Sequence, residues 1–314
     1  MEIAIDAEHL TKKYKSQKNK PAALDDLDIK IPAGQLYGLV GPDGAGKTTT
    51  IRILATVLEQ SSGSARVAGF DVARQADKAR KHIGYMPQNF SLYPDLSVVE
   101  NLTFFADINE VSAEKKKNRI EEMLEFTRLG DFRKRSSGNL SGGMKKKLAL
   151  ACALIHEPAV LLLDEPSTGV DPVSRRELWV ILANVVQQGI TVLVSTPYMD
   201  EAERCHQVGI LYNGKLLITG SPADLETQLP FTVLELKASS RRIMRQVIQE
   251  TNGIFDWRPV GDRLRLSVTA PGRVKNDLIR NFKRTKAEIE ILREAKRTME
   301  DVFMYEVESQ RGDQ

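Results

Sequence analysis

Residues 36–48 read Leu36-Tyr37-Gly38-Leu39-Val40-Gly41-Pro42-Asp43-Gly44-Ala45-Gly46-Lys47-Thr48, and this stretch decides the fold. Leu36–Val40 is a short apolar run suited to a buried strand, and Gly41–Thr48 satisfies G-x-x-x-x-G-K-[ST]. Gly41, Gly44 and Gly46 allow the backbone to turn sharply and bring N–H groups onto phosphate oxygens, with Pro42, Asp43, Ala45 and Thr49 completing the nucleotide-contacting loop. Lys47 is placed to reach the β- and γ-phosphates, and the Thr48 hydroxyl to hold Mg2+. A helix read over Thr48–Leu58 aims its positive N-terminus at the same anion.

Outward from this loop, the first 230 residues alternate short β-branched runs with helical stretches, the pattern of an α/β sheet. Val160–Leu163 and Thr191–Val194 read as two more buried strands, each ending at residues suited to chemistry. Open α/β sheets bind ligands at the carboxyl ends of their strands, so these ends point to a site. The run Val160–Leu163 ends in Asp164-Glu165-Pro166. There Asp164 is placed to bind Mg2+ directly or through water, and Glu165 to polarise an attacking water. Asn213-Gly214, between Ile210-Leu211 and Leu216–Ile218, reads as a tight hairpin.

Between about 95 and 155 the strands vanish. Ser112 opens a helix with Ile120, Met123, Leu124 and Phe126 on roughly one face, and a second helix starts near Ser141 and runs through Leu148, Ala151 and Leu154. This predicts a helical insertion over about 90–157, inside a domain spanning 1–230. The second helix begins Leu140-Ser141-Gly142-Gly143-Met144. Ser141 can cap it, and Gly142 and Gly143 leave its N-terminus open to an anion. Lys145–Lys147, read by themselves, form a solvated lysine face.

After Pro230 the character changes. The pattern predicts strand 231–238, helix 240–252, strands 254–260 and 263–269, helix 272–284 and strand 287–292. That order, βαββαβ, is the ferredoxin-like plan and assigns residues 231–314 to a small α+β domain. A last helix begins near Thr298, whose spacing to Asp301 suits an N-cap.

Composition narrows the function classes. Apolar residues at 41% and charged residues at 28% fit an ordinary globular chain, and 314 residues suffice for one large and one small domain. Apolar runs such as Leu148–Ile155 stop far short of the ~18–20 residues of a membrane span. The start, Met1-Glu-Ile-Ala-Ile-Asp6, lacks a basic head and apolar core, which predicts a chain neither membrane-spanning nor exported. Two cysteines, Cys152 and Cys205, read as reduced core thiols. Residues 231–314 hold 17 Lys/Arg against 13 Asp/Glu and the rest hold 28 against 29, so charge gives no case for a nucleic-acid partner.

The motifs in their order resemble the ATP-binding cassette (ABC) transporter ATPases, over essentially all of residues 1–225. In that family the phosphate loop is followed by a Q-loop, here Tyr85-Met-Pro-Gln88, then by the Leu-Ser-Gly-Gly signature and the Asp-Glu strand. A D-loop, here Ser167-Thr-Gly-Val-Asp171, comes next. The resemblance implies a P-loop NTPase fold, with ATP and Mg2+ as ligands and ATP hydrolysis coupled to transport. It implies that Tyr14 stacks on adenine and that Gln88 senses Mg2+ and the attacking water. It also implies a head-to-tail dimer in which Ser141, Gly142, Gly143 and Asp171 serve nucleotide held by a second cassette, identical or different. Transmembrane permease subunits are the implied partners, and the cytoplasmic face of the inner or plasma membrane is the implied location. Asp171-Pro-Val-Ser-Arg-Arg-Glu-Leu-Trp179 and Met299-Glu-Asp-Val-Phe303 look like drug-efflux ATPases, especially the first cassette of tandem-cassette pumps that work with a periplasmic membrane-fusion protein.

Two positions depart from the family pattern. Where members usually read Ser-Thr-His after the Thr191–Val194 strand, this chain reads Ser195-Thr196-Pro197, and Met144 replaces the usual glutamine. Proline offers no donor to a γ-phosphate, which leaves Thr196 or Tyr198 to substitute. Two readings follow: a working exporter ATPase resting on Glu165, or an ATP-binding cassette paired with a better hydrolytic one. A third class, non-transport ABC proteins, usually needs long coiled coils, zinc-binding cysteines or two cassettes in one chain.

Overall fold

A computed structural model describes residues 2–14, 21–89 and 92–312. The start of the helical insertion, placed by sequence at about residue 90, lies outside the described residues, as does Met1 of the leader reading. The chain divides into two compact units, Met1–Pro222 and Ala223–Gln314.

The first unit opens with β1 (Ile3–Lys12), β2 (Leu24–Pro32), β3 (Leu36–Val40), α1 (Lys47–Leu54), β4 (Ser62–Val67), β5 (Phe70–Asp71), α2 (Ala76–Arg80) and β6 (Ile83–Met86). Helices α3 (Val98–Ile108), α4 (Ala113–Thr127) and α5 (Gly142–Leu154) follow. The unit closes with β7 (Val160–Asp164), α6 (Pro172–Gln187), β8 (Thr191–Thr196), α7 (Met199–Ala202), β9 (Gln207–Tyr212) and β10 (Lys215–Gly220).

Six strands form one sheet in the order β10-β9-β3-β8-β7-β6, parallel throughout except for the β9–β10 hairpin. β3, β7 and β8 are buried along their whole length. Parallel strands covered on both faces read as unbroken apolar runs, which is why the sequence located them. The hairpin turns through Asn213 at φ 48 and Gly214 at φ 80, the two left-handed positions of a type I′ turn. In the ladder, Asp164 pairs with Ser195, so the acidic end of β7 lies beside the polar end of β8.

An antiparallel sheet, β2-β1-β4-β5, was not assigned from sequence. Its signal is the alternation of buried Leu27, Ile29 and Ile31 with exposed Asp26, Asp28 and Lys30, a half-buried strand rather than a fully buried one. Those residues share one core with Leu39, Ile51 and Ile53, so this sheet packs against the phosphate-loop helix. That helix stops at Leu54 rather than Leu58, because Thr56 takes a left-handed backbone at φ 61.

In the insertion, α3, α4 and α5 pack on one another. α3 was also missed, although Ser97 and Glu100 form a capping box at its start. On α4, Ile120, Met123 and Leu124 are buried, whereas Phe126 is only half-buried.

The second unit runs from α8 (Pro222–Gln228) through β11 (Thr232–Ala238), α9 (Arg241–Gln249), β12 (Ile254–Val260), β13 (Arg263–Val268), α10 (Pro271–Phe282), β14 (Ile289–Ala295) and α11 (Met299–Gly312). Its sheet is antiparallel in the order β12-β13-β11-β14, and α9 and α10 pack on β11 over a core of Leu234, Leu236, Leu266, Val247, Leu278 and Phe282. This is the connectivity of a split β-α-β unit. The last strand begins at Ile289, later than residue 287, where pairing with Ala238 starts. α11 starts at Met299, as the Thr298–Asp301 spacing predicts, and the acidic half of the capping box is formed. Asp301 Oδ2 accepts from both the Thr298 N–H and the Thr298 hydroxyl, each at 2.9 Å.

Candidate functional site

The phosphate loop leaves β3 through two positions that only glycine satisfies. A Cβ on Gly41 would lie 2.1 Å from the Leu211 carbonyl oxygen, and Gly46 holds φ at 112°. The Gly41 N–H donates to the Thr196 carbonyl at 3.3 Å, which ties the loop to the end of β8. Gly46 is the N-cap of α1 and has no side chain to cap it, and the first turn carries no acid. The helix therefore presents uncapped N–H groups and a positive end, the requirements of an anion site.

A cavity of about 390 Å³ lies against this loop, lined by Asp43, Gly44, Gly46, Lys47, Thr48 and Thr49, with Ala23, Gln88 and Glu165 completing it. Lys47 is 3% exposed and donates to the Gly41 and Pro42 carbonyls at 2.8 and 3.0 Å. Ala45 is buried behind the loop. The Tyr14 hydroxyl lies 3.4 Å from Thr49 Oγ1, so its ring stands next to the loop, outside the cavity lining.

Asp164 is fully buried, and its Oδ1 accepts from Thr48 Oγ1 at 3.0 Å and from Ser195 Oγ at 2.8 Å. Burial pushes this carboxyl above the usual carboxylate range, while the Ser195 and Thr48 hydrogen bonds pull it back. Its Oδ2 is buried without a hydrogen-bond partner. A free carboxylate oxygen beside a hydroxyl is the donor set of a hard divalent cation, so the residues fit Mg2+. Among the described residues no group of three or more His, Cys, Asp or Glu could hold a metal. Most of the shell of such an ion would therefore come from phosphate and water, as Mg2+ prefers.

Glu165 is the point where the loop, the Q-loop and the D-loop meet. Its Oε1 lies 3.4 Å from Lys47 Nζ, and its Oε2 accepts from Gln88 Nε2 at 3.0 Å and from Thr168 Oγ1 at 3.2 Å. Its backbone sits at φ 48, a left-handed conformation that costs a non-glycine residue roughly 1–2 kcal/mol and persists where neighbours over-determine it. One of those neighbours is Ser195, whose Oγ accepts the Glu165 N–H at 3.0 Å.

The remaining sequence-predicted residues lie elsewhere in the unit. Ser141 caps α5, accepting the Met144 N–H at 3.3 Å, and Asp171 caps α6, accepting from the N–H groups of Val173 and Ser174. A Cβ on Gly143 would lie 2.3 Å from Ser174 Oγ, so the signature packs directly on the start of α6. Ser141, Gly142, Gly143 and Asp171 therefore form a second cluster that does not line the phosphate-loop cavity. Of the two substitutes considered for the missing histidine, the Thr196 hydroxyl is occupied. The Thr196 hydroxyl donates to buried Glu201, and the Tyr198 ring lies under the Arg175 guanidinium at 4.6 Å.

Sequence reasoning missed Ser195, Thr168 and Lys146. Ser195 could have been found by aligning the ends of neighbouring parallel strands, and Thr168 by its i+3 spacing from Glu165. Lys146 is a correction: it is 4% exposed rather than part of a solvated face, and burial lowers its ammonium below the ordinary lysine value against the pull of Glu165 and Asp164.

Comparison with known proteins places the chain in a family. Residues 24–168 match the ABC transporter family model. The chain is 46% identical over 248 residues to the probable multidrug ABC transporter ATP-binding protein YbhF of Escherichia coli (strain K12), covering 77% of this chain but 43% of that one, so it spans less than half of that relative's length. It is 37% identical over 255 residues to the daunorubicin/doxorubicin resistance ATP-binding protein DrrA of Streptomyces peucetius, covering 80% of this chain and 76% of that one. A bacterial ABC transporter cassette solved as a dimer superposes with a TM-score of 0.63 at 25% identity, over 69% of this chain and 98% of that one. With that likeness to DrrA along most of both chains, this protein belongs to the ATP-binding proteins of the ABC transporter family.

Proposed function

We propose that this chain binds and hydrolyses ATP to power an exporter, driving efflux through partner transmembrane permease subunits. The observation that carries this reading is the convergence of Lys47, Gln88 and Glu165 on one cavity beside the Thr48–Asp164 pair. Lys47 and the loop N–H groups neutralise and orient the β- and γ-phosphates. Thr48, Asp164 and Gln88 hold Mg2+, which when bound offsets phosphate charge. Glu165 takes the proton of the attacking water, its carboxylate oriented by Gln88 and Thr168. Tyr14 stacks on adenine.

Ser141, Gly142, Gly143 and Asp171 act across a dimer with a second cassette, identical or different, and their separation from this chain's own cavity supports that role. Residues 1–230 form the cassette, its helical part over about 90–157 relaying the state of Gln88 to the permease, and residues 231–314 form an accessory domain. Among the described residues no helix is long and apolar enough to cross a membrane, which suits peripheral attachment at the cytoplasmic face through partner subunits. A drug-like cargo is supported by the naming of YbhF and DrrA, and a periplasmic membrane-fusion partner by the motif likeness to tandem-cassette pumps.

A second reading, an ATP-binding cassette paired with a more active one, is favoured by one observation. Pro197 lacks a donor, and the Thr196 hydroxyl is engaged by Glu201. Phosphate release by the purified chain, alone and with its co-purified permease, separates the two. Turnover abolished by Glu165→Gln supports the first reading. Tight MgATP binding without turnover supports the second, and absence of MgATP binding overturns both.

A further inference from the structure

Lys146 lies in α5, three residues after Gly143, and its ammonium reaches out of the helix into the hydrolytic pair. Its Nζ donates to the Gln88 backbone carbonyl at 3.2 Å and lies 3.5 Å from the Glu165 backbone carbonyl. Gln88 and Glu165 are 77 residues apart, and their side chains meet at 3.0 Å. One buried cation thus holds the main chain of both residues whose side chains must be aligned. Burying a lysine is costly unless its charge is compensated, and an apolar residue would pack this helix face without that cost. The compensation comes from the site itself: two carbonyls, with the carboxylates of Asp164 and Glu165 nearby.

The backbone of Glu165 makes such a grip consequential. At φ 48 it is held by its N–H on Ser195 Oγ, by the Thr168 N–H on its carbonyl at 3.3 Å, and by Lys146 on that same carbonyl. We propose that Lys146 is a positioning residue that sets the alignment of Gln88 with Glu165 and so ties the hydrolytic pair to the seating of the signature helix. This rests on the reading of Glu165 as the base. A displacement of α5 would be transmitted through Lys146 to both partners, with no loss of the phosphate-binding contacts made by Lys47 and Thr48.

The test uses the full chain carrying Lys146→Met, which keeps length and apolar bulk, and Lys146→Gln, which restores a neutral donor. Lys146→Met should lower kcat about tenfold or more at unchanged KM for ATP and unchanged melting temperature, since a small misplacement of catalytic groups slows chemistry steeply. Lys146→Gln should recover part of the rate. Amide hydrogen exchange in Met86–Asn89 and Asp164–Thr168 should quicken in Lys146→Met. Wild-type kcat, or a loss of kcat matched by the same loss of ATP affinity, overturns the proposal. If Lys146→Met does not fold, Lys146→Gln decides by the same two readouts. If the wild-type chain releases no phosphate, the reading of Glu165 fails separately. Exchange then decides: faster exchange in these segments upholds the grip, and unchanged exchange removes it.

Discussion

Lys47 Nζ lies 3.4 Å from Glu165 Oε1, with the two side chains only 3% and 7% exposed. The residue proposed to bind phosphate and the residue proposed to activate water thus share one low-dielectric contact. A triphosphate entering the loop competes with the carboxylate for the same ammonium, because both are anions within reach of one cation. In the proposed mechanism, phosphate binding and release of Glu165 for base chemistry are coupled through this contact.

Lys47→Ala removes that cation. Charge-assisted hydrogen bonds contribute about 1.5–3 kcal/mol each, so MgATP affinity should fall about 10- to 100-fold. Titration calorimetry checks this, and an unchanged dissociation constant would contradict the phosphate-binding role.

Glu165→Gln keeps the side-chain shape and removes its charge and basicity. Turnover should fall by about 10²–10⁴, the usual share of a general base. ATP affinity should rise, since the carboxylate no longer competes for Lys47. Sizing chromatography with ATP should show a stable dimer; a monomer that still releases phosphate would reject the assignment.

Pro197→His should raise the single-turnover rate of this chain's own site. A donor aimed at developing phosphate charge is worth ~10²–10³ in rate, and the Thr196 hydroxyl is committed to Glu201. ATP affinity should change little, because Lys47, Thr48 and the loop N–H groups secure the ground state. A folded variant with no faster chemical step, alone or with the permease, would mean that another residue already fills the role or that another cassette performs the hydrolysis.

Asp301→Ala tests the second unit by itself. Its buried carboxylate accepts from Arg258 at 2.6 Å, from Arg265 at 2.8 Å and from Thr298. Removing it leaves Arg265, 12% exposed, without its carboxylate, while Arg258, 16% exposed, keeps Glu300, so the cost should be about 3 kcal/mol, read from thermal unfolding. Wild-type stability would mean that Glu300, Thr298 and the Lys296 carbonyl already satisfy these arginines.

Sequence alone determined the buried strands, the phosphate loop, the acidic strand end and the split β-α-β order of the second unit. Each is a local signal: an unbroken apolar run, glycines where φ or close approach demands them, or a change of hydrophobic period. The missed α3 and the antiparallel sheet also carried local signals, in the Ser97–Glu100 box and in alternating Leu27, Ile29 and Ile31. The hydrolytic constellation was different. That Ser195 bridges Asp164 and the Glu165 N–H follows from the pairing of β7 with β8, which brings residues 31 positions apart side by side. That Lys146 is buried rather than solvated follows from the packing of α5 against β6, a strand it does not adjoin in sequence. A lysine reads as surface from sequence because the cost of burying charge dominates the prior. Only tertiary structure brings to it the carbonyls of Gln88 and Glu165 that offset that cost.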